Sequence, residues 1–226
     1  MYASGSTWLF NAAREVAAEL HPSTPHRAVY LETLPHLARL PPGPVIVKSH
    51  HLTVRLARFM EARSRHILLS LRDPRDAVTS MMQHMGQSFP LALHRVERSA
   101  LFCAHYANKE GAALFMYERE FTERPETFDR LAHSFGGILP PPARERLFAG
   151  TRRHIIEGRI AKLEDSPTTW RNPTTGDLVD TDTQWHTHHA GRTGEIGRWQ
   201  NFLPGDNIRQ IEGRLATFMK DFGYPT

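Results

Sequence analysis

A single cysteine, Cys103, is all that the 226 residues contain. With no second thiol there is no intramolecular disulfide and no cysteine-built zinc site, and a reducing, cytoplasmic location is expected. Long apolar runs are missing too. None approaches the roughly 18 residues that a membrane span needs, so no membrane span is expected. The N-terminus shows no basic segment followed by an apolar one, so no signal peptide is visible. A strong charge excess is also lacking: 28 Lys and Arg stand against 24 Asp and Glu, a net charge of +4. That surplus suits an anionic ligand but is too diffuse to indicate nucleic acid, and no nucleic-acid partner is expected. What remains, 40% hydrophobic and 23% charged residues, is the composition of a folding chain the size of one domain, expected over residues 1–226.

The pattern alternates between strands and helices. Trp8, Ala12, Val16 and Leu20 stand four apart and predict a helix over Thr7–Leu20. Short apolar runs at Ala28–Leu31, Val45–Val47, His66–Leu71 and Ala112–Tyr117 lack strict alternation, as parallel strands buried on both faces do. Helical patterns cover Thr53–Arg63, Asp73–Met85, Pro125–Phe135 and Asn207–Phe222. Pro140–Pro142 reads as a break, and Asp165–His189, rich in Thr, Asp, His and Pro, as a long functional loop. The expectation is an α/β fold, a three-layer αβα sandwich around a central parallel sheet.

Three segments carry chemistry. Ser4-Gly5-Ser6-Thr7-Trp8 lies directly before the first helix. Small residues there let backbone N–H groups face a phosphate, helped by the partial positive charge of the helix N-terminus; the plainer reading is a simple cap. It is not an ATP-hydrolysing loop, because Phe10 stands five residues after Gly5 where a second glycine is needed, and the lysine that follows it is missing. In the second segment the run Leu68–Leu71 feeds Arg72-Asp73-Pro74-Arg75-Asp76, with Ser80 further along the helix that Pro74 starts. An arginine at a strand's C-terminal end sits where open α/β sheets bind ligands, so Arg72 and Ser80 are expected to converge on a phosphate. An exposed ion pair and a helix cap would use the same residues. The third segment, Arg192-Thr193-Gly194-Glu195-Ile196-Gly197-Arg198-Trp199, places two glycines three apart beside arginines. It reads as an anion-binding loop or as a basic turn.

In this order the three segments resemble the sulfotransferases that use 3′-phosphoadenosine 5′-phosphosulfate. Ala3–Trp8 resembles the family's P-K-S-G-T-T-W loop. Arg72, Pro74, Asp76 and Ser80 match R-x-P-x-D-x-x-x-S, and Arg192, Gly194, Gly197 and Trp199 match R-K-G-x-x-G-x-W. Tyr117-Glu118 looks like the Y-E-D segment and Val47-Lys48-Ser49-His50 like the K-T-H segment. The resemblance spans Ser4 to Tyr224 and implies a P-loop NTPase-like fold without a metal in the reaction. It implies that Ser4, Gly5, Ser6 and Thr7 cradle the 5′-phosphosulfate and that Trp8 and Tyr117 contact adenine, with Trp8 equally readable as a core anchor. Arg72, Ser80, Arg192, Thr193 and Gly194 would hold the 3′-phosphate. His50 would be the general base for an acceptor hydroxyl or amine, with His51 its near alternative, and Lys48 would stabilise charge on the transferring group.

The chain departs from that pattern in three places. Ala3 stands where the family loop has lysine. Only Met1 and Tyr2 precede it, so the first strand is expected to be missing, with a segment upstream. The K-x-x-x-T-V-x-x-x-E dimer motif is absent at Gln200–Gly205, so no particular oligomer is expected. His186, His188 and His189 beside Asp180 and Asp182 look like a metal cluster, but the expectation is a solvated loop near the acceptor entrance. Met81–Val96 and Asp165–His189 are expected to line the site of a small-molecule or carbohydrate acceptor. The alternatives are a cofactor-binding homologue with little turnover, on account of Ala3, and a nucleotide-dependent phosphotransferase.

Overall fold

The computed structural model describes residues 1–24, 26–31, 43–51, 53–173, 175–189 and 194–226. Its elements are α1 (Ser6–Leu20), β1 (Arg27–Tyr30), β2 (Val45–Lys48), α2 (Val54–Arg63), β3 (Ile67–Leu71), α3 (Pro74–Met85), α4 (Phe89–Ala107), β4 (Ala112–Met116), α5 (Glu126–Ser134), α6 (Pro141–Gly150), α7 (Arg153–Ile160), β5 (Thr169–Arg171), β6 (Leu178–Asp180), α8 (Trp199–Phe202) and α9 (Gly205–Asp221). The chain divides into two compact units. The first comprises Met1–Ser6, Ser64–Phe121 and Thr193–Thr226; the second comprises Thr7–Arg63 and Thr122–Arg192.

The first unit is built on the parallel pair β3–β4, in register from Ile67 opposite Ala112 to Leu71 opposite Met116. Leu69, Ser70 and Leu71 are all buried, the signature of a strand covered on both faces. Its core gathers Leu69 and Leu71, Val78 and Met81 of α3, Leu93, Val96 and Ala100 of α4, and Ile211, Leu215 and Phe218 of α9. Met1 is part of that core, and its amine donates to the Ser70 carbonyl at 2.8 Å.

The second unit holds the parallel pair β1–β2, from Arg27 opposite Val45 to Tyr30 opposite Lys48, and the antiparallel hairpin β5–β6. One face of α1 buries Leu9, Ala12, Ala13, Val16 and Ala17. Trp8 meets Phe128 of α5 edge-on at 5.8 Å between ring centroids, and Phe128 meets Phe148 of α6 at 6.3 Å.

Most expected elements appear within a residue or two, and three expectations change. Pro140–Pro142 starts a helix instead of only breaking one: Pro141 is at the first turn of α6, where a missing N–H costs nothing. The helix α4 was not expected, although Pro90 in its first turn is a start signal of the same kind; Met81–Val96 therefore covers the end of α3 and the start of α4. Asp165–His189 is no plain loop but contains the β5–β6 hairpin and a 3₁₀ turn at Thr187–His189. The parallel strands of the expected α/β fold are present: among the described residues they pair as two short parallel ladders, beside one antiparallel ladder.

Candidate functional site

In the first unit the N-terminal loop takes an unusual path. Ala3 has φ 52° and Gly5 φ 74°, with Ser4 between them. Left-handed backbone costs a non-glycine residue about 1–2 kcal/mol, and backbone of alternating hand forms concave anion-binding nests. Space is tight at position 5 as well. A Cβ there would lie 3.1 Å from Phe121 and 3.4 Å from the Tyr117 ring. Ser4 is fully buried, and its hydroxyl donates to Met1 O and pairs with Ser70 Oγ, both at 2.7 Å. Any ligand contact by Ser4 therefore falls to its main chain. Ser6 is half-buried at the first residue of α1.

Arg72 follows directly on β3 and ties three segments together. Its guanidinium donates to Ala3 O at 3.0 Å and to Glu195 O at 2.9 Å, and stacks 4.5 Å from the centre of the Tyr117 ring. The residue is only 7% exposed, yet its Nε is buried with no hydrogen-bond partner. Such an orphan donor on a charged group is costly unless something else accepts from it. Ser80 lies half-buried further along α3. Tyr117 begins a 3₁₀ turn instead of ending β4, and a Cβ on Gly194, whose φ is 66°, would come within 2.4 Å of its hydroxyl oxygen, so a side chain there is strained and displaces the Tyr117 hydroxyl. Arg192 and Thr193 lie outside the described residues.

Around Arg72 the remaining motif residues hold the frame. Asp73 caps α3 through Arg75 N at 2.9 Å, with Pro74 in the first turn. Arg75, buried, binds Asp73 and Glu212, each at 2.7 Å, and lies 3.9 Å from the centre of the Trp199 ring. Burial opposes its charge, but the two carboxylates outweigh burial and raise its pKa. Asp76, 1% exposed, accepts from Gly197 N at 2.7 Å and Trp199 N at 3.1 Å. The second and third motifs are thus pinned to each other by one carboxylate. Sequence reading matched Asp76 to its motif without a role, and nothing in sequence spacing signals that it meets Gly197. Glu118 accepts from Asp73 N at 2.7 Å and from Tyr224 Oη at 3.3 Å. Burial pushes its carboxyl above the ordinary carboxylate range.

In the second unit Lys48, the last residue of β2, is 7% exposed and donates to Thr7 Oγ1 at 2.6 Å. Its ammonium also lies 5.8 Å from the Tyr30 ring centre, across the strand pair. Asn11 holds the turn by donating to Thr7 O at 2.9 Å and Thr183 O at 2.8 Å. Trp8 is buried, and its indole N–H donates to Thr151 O at 3.0 Å, which makes it an anchor of α1. Both histidines lie past the end of β2, so strand alternation does not set them on opposite sides. His50 is half-buried with its ring edge-on to Tyr30 at 6.0 Å, while the His51 carbonyl accepts from Ser49 Oγ at 2.8 Å.

With this geometry in view the fold is recognisable. It is the fold of the sulfotransferases. Mouse sulfotransferase SULT7A1 complexed with PAP superposes with a TM-score of 0.65 over 96% of this chain and 81% of that one, at 14% identity. Retinol dehydratase superposes with TM-scores of 0.56 and 0.53 in its complexes with androsterone and PAP and with retinol and PAP. Identity there is 19%, over 83% and 82% of this chain, which spans 57% of retinol dehydratase. No family model and no curated protein matches the sequence. Among the described residues no helix is long and apolar enough to cross a membrane.

Proposed function

We propose that the protein is a sulfotransferase that binds 3′-phosphoadenosine 5′-phosphosulfate and passes its sulfuryl group to an acceptor hydroxyl. The observation that carries this reading is Arg72. It is a buried guanidinium at the end of a parallel strand, held in place by two carbonyls and a ring, with its buried Nε–H left over. A phosphate accepts well from such a fork. The donor set therefore fits a 3′-phosphate, with Ser80 and the main chain at Gly194 as further donors and Arg192 and Thr193 assigned to the same group.

Bound, the cofactor supplies the activated sulfuryl group. The main chain of Ser4, Gly5 and Ser6, with the Thr7 hydroxyl, holds its 5′ end, and Tyr117 offers its ring to the base. Lys48, already fixed by Thr7, places positive charge for the oxygen on which negative charge develops. His50 would accept the proton of the acceptor hydroxyl during sulfuryl transfer to that oxygen. Positioning and electrostatics supply most of the acceleration, and none of these assignments needs a metal. A small alcohol or phenol is the acceptor class we favour. Androsterone and retinol, found in the retinol dehydratase complexes, are the natural first members of an acceptor panel. Cys103, a buried free thiol, suits the cytoplasm.

Ala3 favours a second reading, a protein that binds the nucleotide and turns over little. Its Cβ offers no charge, and its carbonyl is already held by Arg72. Incubation of the protein with the sulfate donor and the acceptor panel, read by mass spectrometry, separates the two. A sulfated product that depends on His50 supports the enzyme. Nucleotide binding without product across the panel supports the binding protein, and absence of both overturns the assignment.

A further inference from the structure

The histidine-rich segment folds into something more specific than a solvated loop. Val179 of β6 forms an antiparallel bridge with His186, and Asp180 N donates to Trp185 O at 3.0 Å. The chain then turns through the 3₁₀ segment Thr187–His189, which brings His188 back beside Asp177, at the start of β6. The side chains follow: His188 Nδ1 and Asp177 Oδ2 are 2.6 Å apart, and the His186 and His188 rings lie 4.7 Å apart. One ligand atom from each of the three residues falls within 4.8 Å of the other two.

The surroundings hold this arrangement in place. Thr187 Oγ1 donates to Asp177 Oδ1 at 2.9 Å and accepts from Leu178 N at 3.2 Å. His189 Nδ1 accepts from His186 N at 3.2 Å, and its ring packs edge-on against Trp185, which is buried. Asp180 Oδ1 accepts from Asp182 N at 2.9 Å and Thr183 N at 2.8 Å, which closes the turn leading to the histidines. The His188 and Asp177 side chains are 16% and 21% exposed, open enough for an ion to enter.

We propose that Asp177, His186 and His188 form a binding site for one borderline divalent transition ion, Zn²⁺ being the best match. Imidazole nitrogen and carboxylate oxygen are its usual ligands, and three protein ligands leave a fourth position for water. Zinc bonds of about 2.0–2.1 Å put neighbouring ligand atoms a little over 3 Å apart. The ion thus widens the Asp177–His188 pair slightly and draws His186 inward. Thr187 acts as the outer partner that orients the carboxylate. The site lies wholly within the second unit and clips the β5–β6 hairpin to the turn after it. The inference is independent of the sulfotransferase reading.

The experiment is calorimetric titration of chelator-treated full-length protein with Zn²⁺, paired with the visible absorption of added Co²⁺. Wild type is expected to take up one ion per chain and to give the intense Co²⁺ bands of a low-coordinate site. The double variant His186→Ala/His188→Ala retains every other histidine and is expected to bind roughly 100-fold more weakly. Asp177→Asn, which keeps an acceptor for Thr187, guards against a hairpin that fails to fold. It is expected to weaken binding by about tenfold or more with an unchanged circular dichroism spectrum. Absence of one-to-one binding in wild type, or equal binding by wild type and both variants, would overturn the site.

Discussion

The surroundings of Arg72 in the first unit and of Lys48 in the second are built in different ways. Around Arg72 the motif residues brace one another: Asp76 holds Gly197 and Trp199, Arg75 holds Asp73 and Glu212, and Arg72 holds Ala3 and Glu195. In the second unit, Lys48 is tied to Thr7 and His50 lies beyond the strand that carries it. In the first region motif residues are also the frame, so removing the bracing carboxylate of Asp76 is expected to disturb folding and binding together. On the proposed reading, substitutions in the second region reach the chemistry more directly. A residue's place in a motif does not tell which of the two applies; its hydrogen-bond partners do.

The largest effect expected is on chemistry. His50→Ala should lower kcat by roughly 10²–10⁴, the usual worth of a general base, and leave adenosine 3′,5′-bisphosphate affinity nearly unchanged. His51→Ala should do far less. If His51→Ala is instead the dead variant, the base has been placed one residue out of register. Ala3→Lys restores charge to the loop and should raise the single-turnover rate with the sulfate donor, by up to about 10²-fold if Lys48 covers none of the missing charge. No gain would mean that Lys48 already fills the role and the loop of the second reading is not defective.

The frame is probed by Asp76→Ala, which leaves the N–H groups of Gly197 and Trp199 without their acceptor. A loss of about 3 kcal/mol in denaturant unfolding is expected, together with weaker nucleotide binding. Wild-type stability would break the contrast drawn between the two regions. Gly194→Ala meets both a positive φ and the Tyr117 hydroxyl. It should weaken the bisphosphate by about tenfold, with a melting temperature close to wild type.

The smallest effect concerns pH. Burial raises the Glu118 pKa in the fold, so the folded state holds its proton more tightly than the unfolded chain. The resulting stability is fully present below the unfolded pKa and is lost as pH rises through the folded one. Glu118→Gln should flatten that fall and melt higher than wild type at neutral pH, since the amide oxygen still accepts from Asp73 N. An unchanged pH profile would show that Glu118 does not carry the dependence.

Much of the surroundings of Arg72 was legible because it is local. The strand running into Arg72 and the proline in the first turn of α3 both leave marks in the residues themselves. What was not legible depends on distant partners. Asp76 meets Gly197 across the first unit, and Ser4 turns its hydroxyl inward to Ser70. Trp8 shows the same limit: an aromatic after a small-residue loop reads equally as a base-stacking platform or a core anchor, and only its bond to Thr151 separates them. The hairpin β5–β6 escaped because its strands are three residues each, too short for a period to show.

The central claim is that Arg72 reads a 3′-phosphate, and its most direct test is calorimetric comparison of adenosine 3′,5′-bisphosphate with adenosine 5′-monophosphate. Wild type should bind the bisphosphate at least about 100-fold more tightly, a difference of about 2.7 kcal/mol. Arg72→Ala should erase most of that preference and leave affinity for the monophosphate nearly as it was. Equal binding of the two nucleotides by wild type, or a preference that survives Arg72→Ala, would contradict the account.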